Sequence, residues 1–241
     1  MSNKELLRKE ISTRLSRRLG LTLTVQLAAG LLLSLGVIWT FAQIVDEVVE
    51  GESRRFDEAV LLWIDEHFPD WLYEPMLLVT ALGGFEVILP LLVVATYAFY
   101  RKSARISATL LPVATLGSIV LTEALKRVFD RTRPELLDSF YTASGYSFPS
   151  GHATFAAGFY GTLTLLLAWR LKGLQRWAVA VAGVVLVLLI SFSRLYLGAH
   201  YPTDVLAGFL AAPLWISFTG LCYFLWRTLR GYPSGKAEGE E

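Results

Sequence analysis

Six long stretches of this chain carry almost no charge, and this pattern constrains the fold more than any other feature of the sequence. They are Leu19–Val45, Pro75–Tyr100 (interrupted by Glu86), Ile106–Thr122, Ala153–Trp169, Trp177–Ser193 and Val205–Trp226. A helix that crosses the hydrocarbon core of a bilayer needs about 17–25 mostly apolar residues. The sequence therefore predicts an all-α integral membrane protein with six transmembrane helices in a bundle.

The alternative is a soluble bundle of buried helices. Helices of soluble proteins average about 11–12 residues and carry a polar face, whereas these stretches are apolar all round. The chain is also 54% hydrophobic, more than the about 45–50% of a typical soluble domain. The first stretch is too long for the apolar core of a cleaved signal peptide, so we expect it to form a membrane helix.

Basic residues cluster at one end of the predicted helices. They are frequent in residues 1–18 and recur after the second, fourth and sixth stretches. Because Lys and Arg prefer cytoplasmic loops, we expect both termini to be cytoplasmic. The predicted organisation is a basic cytoplasmic N-terminus (1–18), a six-helix membrane domain (19–230) and a polar cytoplasmic tail (231–241).

The first outer loop, Asp46–Glu74, contains apolar residues at helical spacing, among them Phe56, Trp63 and Ile64. Trp side chains are common at the membrane–water interface. We expect an amphipathic interfacial helix on the outer leaflet. An ordinary loop helix packed on the bundle is an equal alternative.

Polar residues converge at the outer ends of four predicted helices. They follow the third helix, precede the fourth, and lie between the fifth and sixth. The residues concerned are Lys126, Arg133, Ser150, Gly151, His152, Arg194, His200 and Asp204. Because topology brings these segments to one face of the bundle, we expect a site at the outer membrane surface.

The start of the fourth helix suits an anion. Ser150 is a favoured N-cap residue, which leaves the amides of Gly151 and His152 free to bind phosphate at the positive end of the helix dipole. Arg133 and Arg194 can each pair with two phosphate oxygens.

The start of the sixth helix suits a nucleophile. Asp204 follows His200 by four residues and can accept its imidazole N–H, which leaves the other ring nitrogen free to attack. Lys126 adds a third positive charge. Together these groups can stabilise a transferring phosphoryl group and provide its nucleophile.

Composition limits the cofactors and partners. One cysteine and three histidines allow no internal disulfide and no multi-cysteine or His-rich metal centre, although a mixed His–carboxylate site remains open. The net charge of +1 gives no indication of a nucleic-acid partner. We expect no cofactor, no metal and no obligate protein partner.

Three motifs together resemble the signature of the type-2 phosphatidic acid phosphatase superfamily. They are Lys126-x6-Arg133-Pro134, Pro149-Ser150-Gly151-His152 and Ser193-Arg194-x5-His200-x3-Asp204. All signature positions match in order and spacing, and the six-helix layout extends the resemblance over most of the chain. Soluble vanadate-dependent haloperoxidases share the signature but lack membrane helices.

The resemblance implies a role for each motif residue. His200 is the nucleophile that becomes a phosphohistidine, Asp204 orients it, and His152 is the general acid for the leaving alcohol. The residues implied to bind the substrate phosphate are Lys126, Arg133, Ser150, Gly151 and Arg194. The family needs no metal.

The predicted function is hydrolysis of a membrane lipid phosphate or pyrophosphate at the outer face of a bacterial plasma membrane. The resemblance points to phosphatidylglycerol phosphate, phosphatidic acid or undecaprenyl pyrophosphate. A sugar or sphingoid phosphate, or phosphate transfer to another acceptor, stays open. An anion channel or transporter is the alternative of another class, but it predicts polar residues deep in several helices, which these apolar stretches lack.

A few residues near the motifs fall outside them. Arg127 and Arg131 are interpreted as solvated side chains or lipid-headgroup contacts. Tyr141 is interpreted as loop packing, with shaping of the headgroup pocket as the alternative. Gly83 and Gly84 predict a helix break before Glu86, whose role stays open between function, solvation and capping.

Overall fold

The computed structural model describes residues 30–136, 141 and 143–231, apart from the side chains of 220, 223–225 and 227–231. All regular structure in these residues is helical, which confirms the all-α prediction. In chain order the helices are α1 Gly30–Val49, α2 Arg54–His67, α3 Tyr73–Ala81, α4 Phe85–Arg101, α5 Arg105–Phe129, α6 Gly151–Ala156, α7 Thr162–Ala168, α8 Gly173–Tyr196 and α9 Pro202–Gly231. A 3-10 turn, Asp70–Leu72, precedes α3, and a π turn, Ala157–Gly161, joins α6 to α7.

Two units divide the chain, Met1–Thr40 and Phe41–Glu241. Helices α2 to α9 all belong to the second unit. The predicted N-terminal segment (1–18) lies outside the described residues. So does the predicted tail, except that its first residue, Gly231, ends α9.

Three of the described helices, α1, α5 and α8, are long and apolar enough to cross a membrane. Helices α3 and α4 add a fourth span if the pair, which is bent by 44°, is counted as one. Only 28% of the apolar window of each of α5 and α8 is buried, so most of these residues are exposed or partly exposed, as in a lipid-exposed helix.

A break divides the second predicted stretch between α3 and α4. Helix α3 ends at Ala81 and α4 begins at Phe85, which confirms the break predicted from Gly83 and Gly84. Glu86 is exposed in the first turn of α4, and no side chain caps that helix start.

Helix α5 lies at the centre of the second unit, where it packs against α4, α9 and the α6–α7 stretch. Three of its buried hydroxyl groups are satisfied within the helix, because Thr115, Ser118 and Thr122 each donate to the carbonyl four residues earlier at 2.7–2.8 Å. The buried apolar cluster around α5 consists of Ile88, Leu92, Phe99, Leu111, Phe155, Ala156, Phe159, Tyr160, Val187 and Ile190. Helix α6 also packs against α5, α8 and α9, which holds these four helices together near the start of α6.

The segment predicted as the first outer loop contains α2, which contacts α8 and α9. Asp57, Leu61 and Ile64 are buried, whereas Phe56 and Trp63 are about half exposed. One face of α2 therefore packs on the bundle and the other carries exposed aromatic side chains.

Candidate active site

The starts of α6 and α9 lie side by side. The backbone amide of Ser150 donates to the carbonyl of Asp204 at 2.9 Å. Gly208, one turn further along α9, faces the same segment: a Cβ there would stand 2.9 Å from the carbonyl oxygen of Ser150. The start of α6 is expected to bind phosphate, and the start of α9 follows the expected nucleophile. A backbone hydrogen bond thus joins these two helix starts.

His200 lies in the loop between α8 and α9 and is 1% exposed. Its Nε2 is 3.1 Å from Nη1 of Arg133. A guanidinium can only donate, so Nε2 is the acceptor and the imidazole proton is on Nδ1. Nδ1 lies 3.5 Å from Oδ2 of the Asp204 carboxylate, a distance too long for a strong hydrogen bond. The ring nitrogen that carries the lone pair therefore faces Arg133.

Arg133 is held in place by main-chain carbonyl groups. Its guanidinium donates to the carbonyls of Ser144, Gly145 and Ala199 at 2.7–3.0 Å. Pro134 favours an extended conformation for the residue before it, and Arg133 indeed lies outside α5. The loop thus presents a fixed guanidinium to His200.

Arg194, near the end of α8, is 1% exposed. Its Nη1 donates to Oγ1 of Thr80 at 2.7 Å and to the hydroxyl of Tyr141 at 2.9 Å. Its Nε has no hydrogen-bond partner. The ring of Tyr141 also lies 4.8 Å below the guanidinium carbon, so Tyr141 contacts the site and is more than loop packing.

Lys126 and Ser150 both lie close to Gly151. The Nζ of Lys126 lies 3.6 Å from the position a Cβ would take on Gly151. Ser150 occupies the N-cap position of α6, but its side chain makes no capping hydrogen bond. Its Oγ is buried without a partner. The predicted N-cap position of Ser150 is therefore confirmed, but its hydroxyl does not bind the helix amides.

His152 packs under the break between α3 and α4. Its Cδ2 lies 3.2 Å from the position of a Cβ on Gly83, and its Nε2 lies 3.9 Å from that on Gly84. A Cβ on Gly83 would also approach Cγ2 of Ile190 to 2.5 Å. The absence of side chains on these two glycines lets the turn approach the imidazole.

The electrostatics of the site disfavour a charged histidine and favour an anion. Burial lowers the pKa of His200 well below its usual value, and the charges of Arg194, Arg133 and Lys126 lower it further. His200 is therefore neutral, as a nucleophile must be. The same three cations can neutralise a bound phosphate.

Asp204 is fully buried and is held by a residue outside the motifs. Arg131 donates through Nη1 to Oδ1 of Asp204 at 2.6 Å and through Nη2 to Oδ2 of Asp57 at 2.7 Å. The other oxygen of Asp204 accepts the amide of Tyr201 at 2.9 Å. The prediction that Arg131 is solvated or contacts headgroups is wrong, because both ends of its guanidinium bind buried carboxylates. Arg127, in contrast, is exposed.

The residues predicted from the three motifs therefore lie close to one another, and Asp57, Thr80 and Arg131 contact members of this group. Thr80 and Asp57 carried no sequence signal, while Arg131 lies two residues before Arg133. Among the described residues, no group of three or more His, Cys, Asp or Glu side chains is arranged to hold a metal ion.

Comparisons with known proteins identify relatives of this chain. Residues 107–228, half of the chain, match the family model described as the PAP2 superfamily. Phosphatidylglycerophosphatase B of Bacillus subtilis is 38% identical over 144 residues, which cover 58% of this chain and 69% of that protein. Undecaprenyl-diphosphatase of Sulfolobus acidocaldarius is 34% identical over 131 residues, which cover 52% of this chain and 59% of that protein.

A solved structure has the same fold. It is a transmembrane PAP2 type phosphatidylglycerolphosphate phosphatase from Bacillus subtilis, with a TM-score of 0.71 and 26% identity. The match covers 83% of this chain and 98% of that chain. The similarity thus extends well beyond the three motifs.

Proposed function

The chain belongs to the PAP2 superfamily of phosphatases, and from this premise we propose that it hydrolyses the phosphate ester or pyrophosphate of a membrane lipid through a phosphohistidine on His200. The observation that carries the proposal is the 3.1 Å contact between Nη1 of Arg133 and Nε2 of His200. A phosphate oxygen that takes over this guanidinium brings its phosphorus next to the free lone pair of Nε2. Binding and attack are thereby coupled.

The reaction proceeds by two displacements. When phosphate binds, its negative charge offsets the three cations and allows His152 to hold a proton. Nε2 of His200 attacks phosphorus, the bond from phosphorus to the leaving oxygen breaks, and protonated His152 donates its proton to that oxygen. Water then attacks the phosphohistidine while His152 accepts a proton, and inorganic phosphate leaves. Lys126, Arg133 and Arg194 stabilise the charge on the equatorial oxygens in both steps, and the unpartnered hydroxyl of Ser150 donates to one of them.

The substrate class is proposed from the relatives and from the helices around the site. The two curated relatives are named for phosphatidylglycerophosphate and undecaprenyl diphosphate. We propose phosphatidylglycerol phosphate, phosphatidic acid or undecaprenyl pyrophosphate as substrate, entering sideways from the bilayer. Outward-facing apolar side chains on α5 and α8 are consistent with a lipid beside the site.

The proposed topology has six spans with both termini cytoplasmic and the site extracytoplasmic. Helices α1, α5, α8 and the bent α3–α4 pair account for four spans. The helical stretch from α6 to α7 and helix α9 would supply the other two. The exposed aromatic face of α2 would lie on the outer leaflet.

The test is phosphate release by purified protein in detergent, across diacyl and prenyl phosphates and pyrophosphates, with sugar and sphingoid phosphates included. We expect release from at least one lipid substrate, unaffected by EDTA, inhibited by vanadate and lost in His200→Ala. His67→Ala is the matched control, because His67 is exposed and its Nδ1 approaches the carbonyl of Trp63 in its own helix. Full activity of His200→Ala would refute the mechanism, and anion flux in liposomes without phosphate release would favour a channel.

A further inference from the structure

Arg131 forms a buried bridge between two carboxylates on different helices. Its side chain is 14% exposed, and those of Asp57 on α2 and Asp204 on α9 are fully buried. The distances are 2.7 Å to Asp57 and 2.6 Å to Asp204. The ring of Tyr201 lies 4.3 Å from the guanidinium carbon. Because its charge is already matched by two carboxylates, Arg131 is unsuited to binding substrate phosphate.

Asp57 is joined to the start of α9 through a second set of bonds. Its Oδ1 accepts the backbone amide of Thr203 at 3.0 Å, and its Oδ2 accepts the hydroxyl of Thr203 at 2.7 Å. The amide of Thr203 is one of the free N–H groups at a helix start, where the helix dipole favours a negative charge. Asp57 therefore supplies from α2 the cap that α9 needs.

The position of the Asp204 carboxylate, which lies next to the His200 ring, is set by bonds to both of its oxygens. With Oδ1 bound to Arg131 and Oδ2 bound to the amide of Tyr201, the carboxylate of Asp204 cannot rotate. Its Oδ2 is thereby kept 3.5 Å from Nδ1 of His200. A carboxylate oriented by Arg131 thus faces the Nδ1 side of the His200 ring.

We propose that Asp57 and Arg131 are positioning residues of the phosphatase reaction: they hold Asp204, and through it His200, in the geometry for attack. This inference rests on the proposed function. It assigns a role in the chemistry to α2, the helix of the first outer loop, which carries none of the three motifs. Neither residue touches the substrate phosphate.

A purely structural bridge and a positioning bridge predict different kinetics. Arg131→Lys keeps one positive charge but cannot bind both carboxylates with a fork. The phosphate-binding cations are unchanged in this variant, so we expect KM within about twofold of wild type and kcat lower by about 10–100-fold, as for other residues that orient a reactive group. Asp57→Asn should lower kcat in the same direction.

A double-mutant cycle separates the two readings. If Arg131 acts through Asp204, then Arg131→Lys in an Asp204→Asn background should lower kcat by less than about threefold further. Equal proportional losses in the two backgrounds would overturn the proposal, as would wild-type kcat in both Arg131→Lys and Asp57→Asn. Thr203→Val, which removes a hydroxyl shared by Arg131 and Asp57, provides a milder version of the cycle if a charged variant does not fold.

The controls repeat the same chemical changes at exposed positions. Arg127 is exposed on the last turn of α5, and Asp65 is exposed on α2. The variants Arg127→Lys and Asp65→Asn should both keep wild-type kcat. All rates are normalised to the folded fraction from thermal unfolding in detergent. Absence of phosphate release from the wild-type protein would refute the proposed function, whereas normal release with no effect at Arg131 would refute only the positioning role.

Discussion

The backbone amide of Ser150 donates to the backbone carbonyl of Asp204 at 2.9 Å. This hydrogen bond connects the start of α6, where phosphate is expected to bind, to the start of α9, which follows the nucleophile. Because it involves no side chain, it survives substitution at either position. The effects of side-chain variants around it can therefore be interpreted locally.

Ser150→Ala should lower activity without lowering stability. Its Oγ is buried without a partner and makes no capping bond, so its removal should not cost the about 1 kcal/mol typical of a lost N-cap. A hydroxyl that donates to a charged phosphate contributes about 1.5–3 kcal/mol, and we expect kcat/KM to fall by at least about tenfold. Thermal unfolding and phosphate release measure the two effects.

Thr154→Val is the matched control for this variant. It removes a hydroxyl that donates to the carbonyl of Ser150 at 2.8 Å but has no expected contact with substrate. It should change the unfolding midpoint more than the activity per folded molecule. A loss of stability in Ser150→Ala with unchanged kcat/KM would instead identify Ser150 as a cap.

Gly83→Ala should lower kcat. A Cβ at this position would approach Cγ2 of Ile190 to 2.5 Å and Cδ2 of His152 to 3.2 Å, so the turn or the imidazole must move. A displacement of about 1 Å in a reacting group can cost about 100-fold in rate. Gly161→Ala is the control, because no atom lies within 4 Å of the position that a Cβ would take there. Equal kcat in the two variants would contradict a close fit of the turn over His152.

Arg133→Lys should lower kcat/KM by about 100-fold. The guanidinium of Arg133 contacts the carbonyls of Gly145 and Ala199 and also His200. The single ammonium group of lysine cannot bind the loop carbonyls and also pair with two phosphate oxygens. Vanadate should inhibit this variant less strongly. Arg176→Lys makes the same change at an exposed position near the start of α8 and should behave as wild type; matching vanadate inhibition in Arg133→Lys would argue against phosphate binding by Arg133.

The site could be predicted from sequence where topology alone decides proximity. Lys126, Arg133, His152 and His200 each lie at or beside the end of an apolar stretch, so alternating the stretches across a membrane brings them to one face. The break at Gly83 was predictable for a similar local reason, since paired glycines disfavour a continuous helix.

The Asp57–Arg131–Asp204 bridge could not be predicted in this way. Asp57 and Thr203 are 146 residues apart, and their contact depends on how α2 packs on α9. From the sequence, Asp57 is one acidic residue among several in a surface loop. Residue type correctly predicts Ser150 at the N-cap position of α6, but it does not predict that the hydroxyl makes no capping hydrogen bond, because the rotamer depends on local packing.

The stability of the protein should decrease as pH falls below about 6.5, and His200 should contribute to this decrease. Burial and the charges of Arg194, Arg133 and Lys126 hold the pKa of His200 well below its usual value. The unfolded chain takes up a proton at this side chain near pH 6.5, whereas the folded protein does not until much lower pH. The unfolded state then binds more protons, so the free energy of unfolding falls with pH by up to about 1.4 kcal/mol per pH unit from this group. Above pH 6.5 the contribution of His200 is constant.

His200→Gln should weaken this dependence, because glutamine does not titrate. Unfolding midpoints of wild type and His200→Gln in detergent, compared between pH 7.5 and 5.5, measure the difference, with His67→Gln as a control for replacing an exposed histidine. We expect the midpoint of His200→Gln to drop less than that of wild type over this range. An identical drop in the two proteins would mean that His200 is protonated in the folded state at pH 5.5, and would contradict the neutral, attack-ready imidazole that the three surrounding cations impose.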